Sequence, residues 1–151
     1  MKATTLLRDQ HRSLEGLVAR VSRERDSRLP LVLQLVEELM THLSIEDHFF
    51  LCPVADTTGL RVEAYRESQG RVRNALLQAV FAEQDEMAFQ PRLKELQSAF
   101  TQHTRVLERD LLPLVDSQLR PEELEAMGGR MQAFWDASIA HERPVQSHAA
   151  A

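Results

Sequence analysis

Apolar residues recur at helical spacing almost throughout this 151-residue chain, strand-like alternation is absent, and prolines punctuate the periodic segments. That pattern confines the fold to packed helices. The first helix is expected over about 3 to 26, with Leu7, His11, Leu14, Val18 and Val21 on one face. A second begins near Pro30 and carries Val32, Leu35, Leu39, His42, Glu46 and Phe49 inward before stopping at Pro53, after which "ADTTGL" reads as a turn. The third covers about 60 to 86, and its stripe runs back from Leu76 and Val72 to Gln69, Tyr65 and Val62. Pro91 is expected to open the fourth, whose stripe is Leu93, Leu96, Phe100, His103, Leu107 and Leu111.

Pro121, followed by Glu122 and Glu123 at the positive helix end, marks a shorter fifth helix that packs Met131, Phe134 and Trp135 across the others. Short connections between long helices favour antiparallel neighbours. The expectation is therefore an all-α, up-down-up-down four-helix bundle with a short additional C-terminal helix. Residues 1 to 151 read as a single domain, with a loose tail over about 142 to 151. A faint repeat links "THLSIEDHFFLCPV" and "QHTRVLERDLLPLV", each with an inward histidine, a later glutamate, apolar residues and a proline expected to stop the helix, Pro53 or Pro113.

The net charge of -5 gives no footprint for nucleic acid or an anionic membrane. A single cysteine, Cys52, excludes internal disulfides and thiolate metal clusters, and reads as a small apolar residue closing the second helix. With no apolar run near the roughly 18 residues of a membrane span and no signal-peptide core at the start, a cytoplasmic location is expected.

Two polar residues on an apolar helix face need a reason. His42 and Glu46 are four apart, about 40° and 6 Å along a helix, so both can address one point. Imidazole with carboxylate suits iron, manganese or zinc, and facing helices of a bundle supply further ligands. His11 and His103 lie on facing stripes. Any one inward histidine is more simply a hydrogen-bonded core residue, but three with a glutamate leave many polar groups to satisfy in a small core. Glu108, five residues after His103, is turned about 140° from it and reads as peripheral. His48, His141 and His148 read as exposed or terminal, and Asp47 and Glu15 as flanking groups.

The chain resembles the hemerythrin family in its broad bacterial, HHE cation-binding form. The marks are "LLRDQHRSLEGL", "ELMTHLSIEDHFFLCP", "FTQHTRVLERDLLPLV" and "RPEELEAMGGRM", in that order. The resemblance implies a di-iron centre held by histidines of all four helices and two bridging carboxylates. On this sequence it assigns His11, His42, Glu46, His103 and Glu108 as metal ligands, with Glu108 as the second bridge. The third helix departs from the family pattern, with Tyr65 and Gln69 where one or two histidines are expected.

Three outcomes stay open from the sequence. Tyr65 and Gln69 act as altered ligands of a two-metal site, a single ion uses a subset of the others, or metal is lost and the polar groups bond to one another. The resemblance implies a cofactor of one or two iron ions, with manganese or zinc as substitutes, and a role in binding or sensing oxygen or nitric oxide or in handling iron. No phosphate loop or nucleophile motif points to an enzyme. The competing reading is a metal-free bundle acting as an interaction or structural module. A ferritin-like oxidase is disfavoured because no Glu-x-x-His pair is present.

Overall fold

The structure, a computed structural model, describes residues 1–140. The expected loose tail, His141 and His148 lie outside the described residues. All regular structure among the described residues is helical, in five rods. They are α1 (Ala3–Arg23), α2 (Arg28–Ile45, continuing through Glu46–Leu51 and Cys52–Thr58), α3 (Glu63–Phe81), α4 (Glu86–Val106, continuing through Leu107–Leu111 and Leu112–Gln118) and α5 (Pro121–Ala140). The first four form the expected bundle, and α5 packs on α1 and α2.

Two sequence expectations about proline fail, for related reasons. The second and fourth helices do not stop at Pro53 and Pro113. Each instead widens into a π-helical stretch, Glu46–Leu51 or Leu107–Leu111, and then resumes as α-helix. A proline ring clashes with the carbonyl four residues back and offers no N–H, so the ladder shifts to five-residue spacing just before it. Accordingly the Cys52 N–H bonds Asp47 O and the Leu112 N–H bonds Leu107 O. The actual stop after α2 is Gly59, whose φ of 72° supplies the left-handed C-cap that residues with a Cβ adopt at a cost. Pro91 likewise lies inside α4 rather than opening it. The cap is Asp85, whose side chain accepts from the Met87 N–H.

The fifth helix is longer than expected, at 20 residues. Met131 is buried as predicted, Trp135 packs at the core margin, and the Phe134 ring lies tilted against Phe49 at a centroid distance of 5.1 Å. Its approach to the start of the chain depends on Gly128, where a Cβ would lie 2.1 Å from Met1 O.

Buried apolar side chains gather in two clusters, one toward each end. Leu7, Ile45, Phe50, Leu107 and Leu111 anchor one with residues of α5. Leu14, Leu39, Leu43, Val72, Leu76, Leu96 and Phe100 anchor the other. Each fully buried leucine or phenylalanine contributes roughly 2 kcal/mol, so the bundle is held from both ends. In sequence, His11 falls between Leu7 and Leu14, His42 between Leu39 and Ile45, and His103 between Phe100 and Leu107. The polar residues thus form a waist between two apolar masses.

Candidate metal centre

Each helix brings its polar residue to this waist by continuing an apolar stripe. His11, His42, Glu46 and His103 are all 0 or 1% exposed. Glu46 is the hub. Its Oε2 lies 3.6 Å from His11 Nε2 and 3.5 Å from His42 Nε2, while its Oε1 lies 2.8 Å from His103 Nε2 and 2.8 Å from Gln69 Nε2. The edges of the His11 and His42 rings meet at a centroid distance of 5.0 Å, and Phe100 stands edge-on to both at 6.1 and 6.3 Å.

The outer nitrogens are also held. His11 Nδ1 donates to Glu108 Oε1 at 2.7 Å and His42 Nδ1 donates to Gln10 Oε1 at 2.8 Å. Each outer bond puts a ring proton on Nδ1, so Nε2 is the atom each ring turns toward Glu46 and the one that carries the lone pair when the ring is neutral. His103 is oriented the other way. With its Nε2–H donating to Glu46, its Nδ1 accepts from the Ser68 hydroxyl at 2.9 Å.

Burial works to raise the Glu46 carboxyl, but the electrostatic attraction and hydrogen bond of His103, with the nearby His11 and His42, outweigh it, and Glu46 sits well below the usual carboxylate range. It is an anion at neutral pH. Burial dominates at His42 and lowers its pKa to about 4, so its Nε2 stays unprotonated. Burial also pushes His11 down, but Glu108 and Glu46 together push harder and its pKa is raised. The His11 hydrogen bond keeps Glu108 low against partial burial.

His11 Nε2, His42 Nε2 and Glu46 Oε2 are buried with no hydrogen-bond partner among the described residues. An unpaired buried polar atom costs on the order of 1–3 kcal/mol, and three facing one another are what a cation satisfies together. One ligand atom from each of these residues lies within 4.8 Å of the others. An ion about 2.1 Å from each would bring cis donors to about 3.0–3.4 Å. The observed 3.5 and 3.6 Å from Glu46 Oε2 to the two imidazole nitrogens come within a few tenths of an ångström of that spacing. Two imidazoles and a carboxylate are a borderline donor set that suits iron, manganese or zinc. The residues present fit a cation at this point.

A family model, the Hemerythrin HHE cation binding domain, matches residues 2–115. This chain belongs to the hemerythrin family. The match covers α1 through most of α4, including every residue of the waist, and α5 lies beyond it. No curated protein and no solved structure matches the chain.

Within this hemerythrin-family bundle, four of the sequence-predicted site residues converge directly: His11, His42, Glu46 and His103. Gln69 joins them as a hydrogen-bond donor, also reaching Leu43 O at 3.3 Å. Glu108 comes in from the rim, its side chain 36% exposed and bonded to the outer nitrogen of His11. Tyr65 is half-buried and packs at the margin of the cluster around Leu107 and Leu111. Burial and nearby Asp110 raise its pKa, and its electrostatic neighbours are Asp110 and Arg109 rather than the waist residues.

Two residues of the centre escaped sequence reasoning, Gln10 and Ser68. Gln10 is four from both Leu6 and Leu14, a spacing that marks the buried side of α1. Ser68 is four before Val72 on the stripe of α3. Of the flanking groups, Asp47 pairs with Arg66 at 2.8 Å, His48 is exposed and donates to Ser44 O at 3.0 Å, and Glu15 is exposed. Cys52 is partly exposed, with the Arg66 guanidinium 2.8 Å from its sulfur.

Proposed function

We propose that this hemerythrin-family chain is a non-haem metal-binding protein with iron as its resident ion, manganese and zinc being chemically admissible substitutes. The reading rests on the buried, unpartnered His11 Nε2, His42 Nε2 and Glu46 Oε2 facing one another across the waist. These three residues hold the ion. Bound there, iron would supply an open coordination position for a diatomic ligand, so the role is binding or sensing O2 or NO, or handling iron, in the cytoplasm.

A cleft of about 220 Å³ between α1 and α4 is lined by His11, Arg12, Thr101, Thr104 and Glu108 and offers a small ligand its approach. Phe100 and the leucines on either side keep bulk water from the imidazoles. His42, with its depressed pKa, presents a lone pair without first having to release a proton at neutral pH. Among the described residues no helix is long and apolar enough to cross a membrane. A metal-free interaction module is the competing reading, and the satisfied bonds of His103, Ser68 and Gln69 are the observation in its favour.

Anaerobic incubation with ferrous iron, desalting and elemental analysis separate the two. Retained iron, a raised melting temperature and an absorption change on exposure to O2 or NO are expected. A desalted protein with no iron, manganese or zinc, and with its melting temperature unmoved by any of them, rules the metal reading out.

A further inference from the structure

We infer that the centre takes one ion rather than two, with Glu108 acting as a positioning residue on His11 instead of a metal ligand. This rests on the metal-binding reading above. A carboxylate bridging two metals needs a free lone pair on each oxygen. Glu46 has one such oxygen. Its Oε2 has no hydrogen-bond partner among the described residues, whereas its Oε1 accepts from both His103 Nε2 and Gln69 Nε2 at 2.8 Å. Gln69 brings N–H donors where a second ion would need a lone pair. His103 is spent in the same way, because its Nε2–H is directed at Glu46 and its Nδ1 is bonded to Ser68. The side of Glu46 facing α3 and α4 is therefore closed by hydrogen bonds.

Glu108 would be the other bridge in a two-ion centre. Its carboxylate instead takes the outer nitrogen of His11 at 2.7 Å, on the opposite edge of the ring from Nε2. In that place a carboxylate fixes the tautomer and ring plane of a ligating imidazole and raises its basicity, an arrangement usual around metal-bound histidines. Gln10 does the same for His42 with a neutral amide oxygen. Both imidazoles of the one-ion site thus carry an outer partner, one charged and at the rim, the other neutral and buried.

The test is anaerobic titration with ferrous iron, and separately with cobalt(II), whose visible band intensity reports the number of ligands. The wild-type chain, Glu108→Gln and Glu108→Ala are compared, with circular dichroism confirming that each variant folds. One ion per chain is expected in all three. Glu108→Ala should weaken binding by about ten- to a hundredfold. Glu108→Gln, whose amide oxygen still accepts from His11 Nδ1, should recover most of that loss. The cobalt spectrum should be the same in all three. Two ions per wild-type chain would overturn the one-ion inference and leave the metal-binding function standing. A cobalt spectrum showing one ligand fewer in both variants would overturn the role given to Glu108. No ion bound to wild type would overturn both readings.

Discussion

The two sides of the Glu46 carboxylate are built from similar parts and end in opposite states. Toward α1 and α2, two imidazoles turn Nε2 toward an oxygen with no hydrogen-bond partner among the described residues. Toward α3 and α4, an imidazole and an amide donate to the other oxygen and complete its bonding. The difference lies in the partners of the outer nitrogens. Gln10 and Glu108 are acceptors that hold a proton on Nδ1, whereas Ser68 can donate to Nδ1 and leave the proton on Nε2. On the proposed metal-binding reading, a ligating side and a structural side are thus set by one hydrogen-bond choice at each histidine.

The largest expected effect comes from breaking each side in turn. His42→Ala should lower ferrous-iron affinity beyond roughly a hundredfold, the upper end of what losing an outer partner costs, because a direct ligand is gone. His103→Ala should leave one ion per chain and change affinity far less. Parallel equilibrium titrations measure this. Equal losses from the two variants would mean that the sides are not distinct.

Next in size is the acid response of the metal-free protein. His42 has a folded pKa of about 4 against 6.5 when unfolded. The unfolded chain therefore binds this proton first as pH falls, and stability is lost between about pH 6.5 and 4, by on the order of 3 kcal/mol for this group alone. His11, with its raised pKa, acts in the opposite sense. Its contribution is full below the unfolded pKa and is lost as pH rises through the folded one. Glu46, held low, gives a stabilisation that fades only at lower pH, as its folded pKa is approached. Urea unfolding of wild type and His42→Gln from pH 7.5 to 4 isolates the His42 share. The advantage of the variant should grow on acidification, and a constant difference would show that His42 is not held neutral by burial.

How much of this was legible in the sequence follows from what each residue's neighbours declare. His11, His42, Glu46 and His103 interrupt leucine stripes at helical spacing, so the wheel places them inward without further help. The same wheel turns Glu108 away from the core, and the structure has it at the rim rather than among the buried residues of the waist. It lies in the π-helical stretch Leu107–Leu111, where the 3.6-residue period no longer applies. The resemblance put Glu108 at the site, and the structure places it at the rim on His11. Pro53 and Pro113 read as stops because a proline in a regular helix is one, and nothing local announces that the preceding turn widens. Asp85 was missed as a cap because Pro91 offered a more conspicuous start. Gln10 and Ser68 have helical spacing to the apolar stripes, but only the facing imidazoles give their polar atoms a role, and those partners are distant in sequence.

A smaller effect is expected at Gln69, whose side-chain amide closes the structural side. Gln69→Leu keeps the approximate volume but removes one of two donors to a buried anionic oxygen, which costs about 1.5–3 kcal/mol. The loss should appear in thermal unfolding of the metal-free protein. Iron stoichiometry should stay at one per chain, because the ligating oxygen is the other one. A gain to two ions would show that Gln69 was what excluded the second.

The finest discrimination comes from a matched pair, Gln10→Ala and Ser68→Ala. Each deletes a single hydrogen bond to the outer nitrogen of a buried histidine, at 2.8 and 2.9 Å, and each should cost about 1 kcal/mol in the metal-free protein. Stability alone therefore does not tell them apart. Iron affinity should, because Gln10 holds the tautomer of a ligating ring and Ser68 that of a ring turned away from the ion. Gln10→Ala is expected to weaken binding by about tenfold, the lower end for an outer partner, since its amide carries no charge. Ser68→Ala should leave affinity within about twofold of wild type, inside the context-dependence of such single-bond effects. Without the serine, His103 Nδ1 loses its donor, but the Nε2–H bond to Glu46 remains available. If Ser68→Ala instead weakens iron binding as much as Gln10→Ala, His103 reaches the metal. The carboxylate would then be shared between two functional sides.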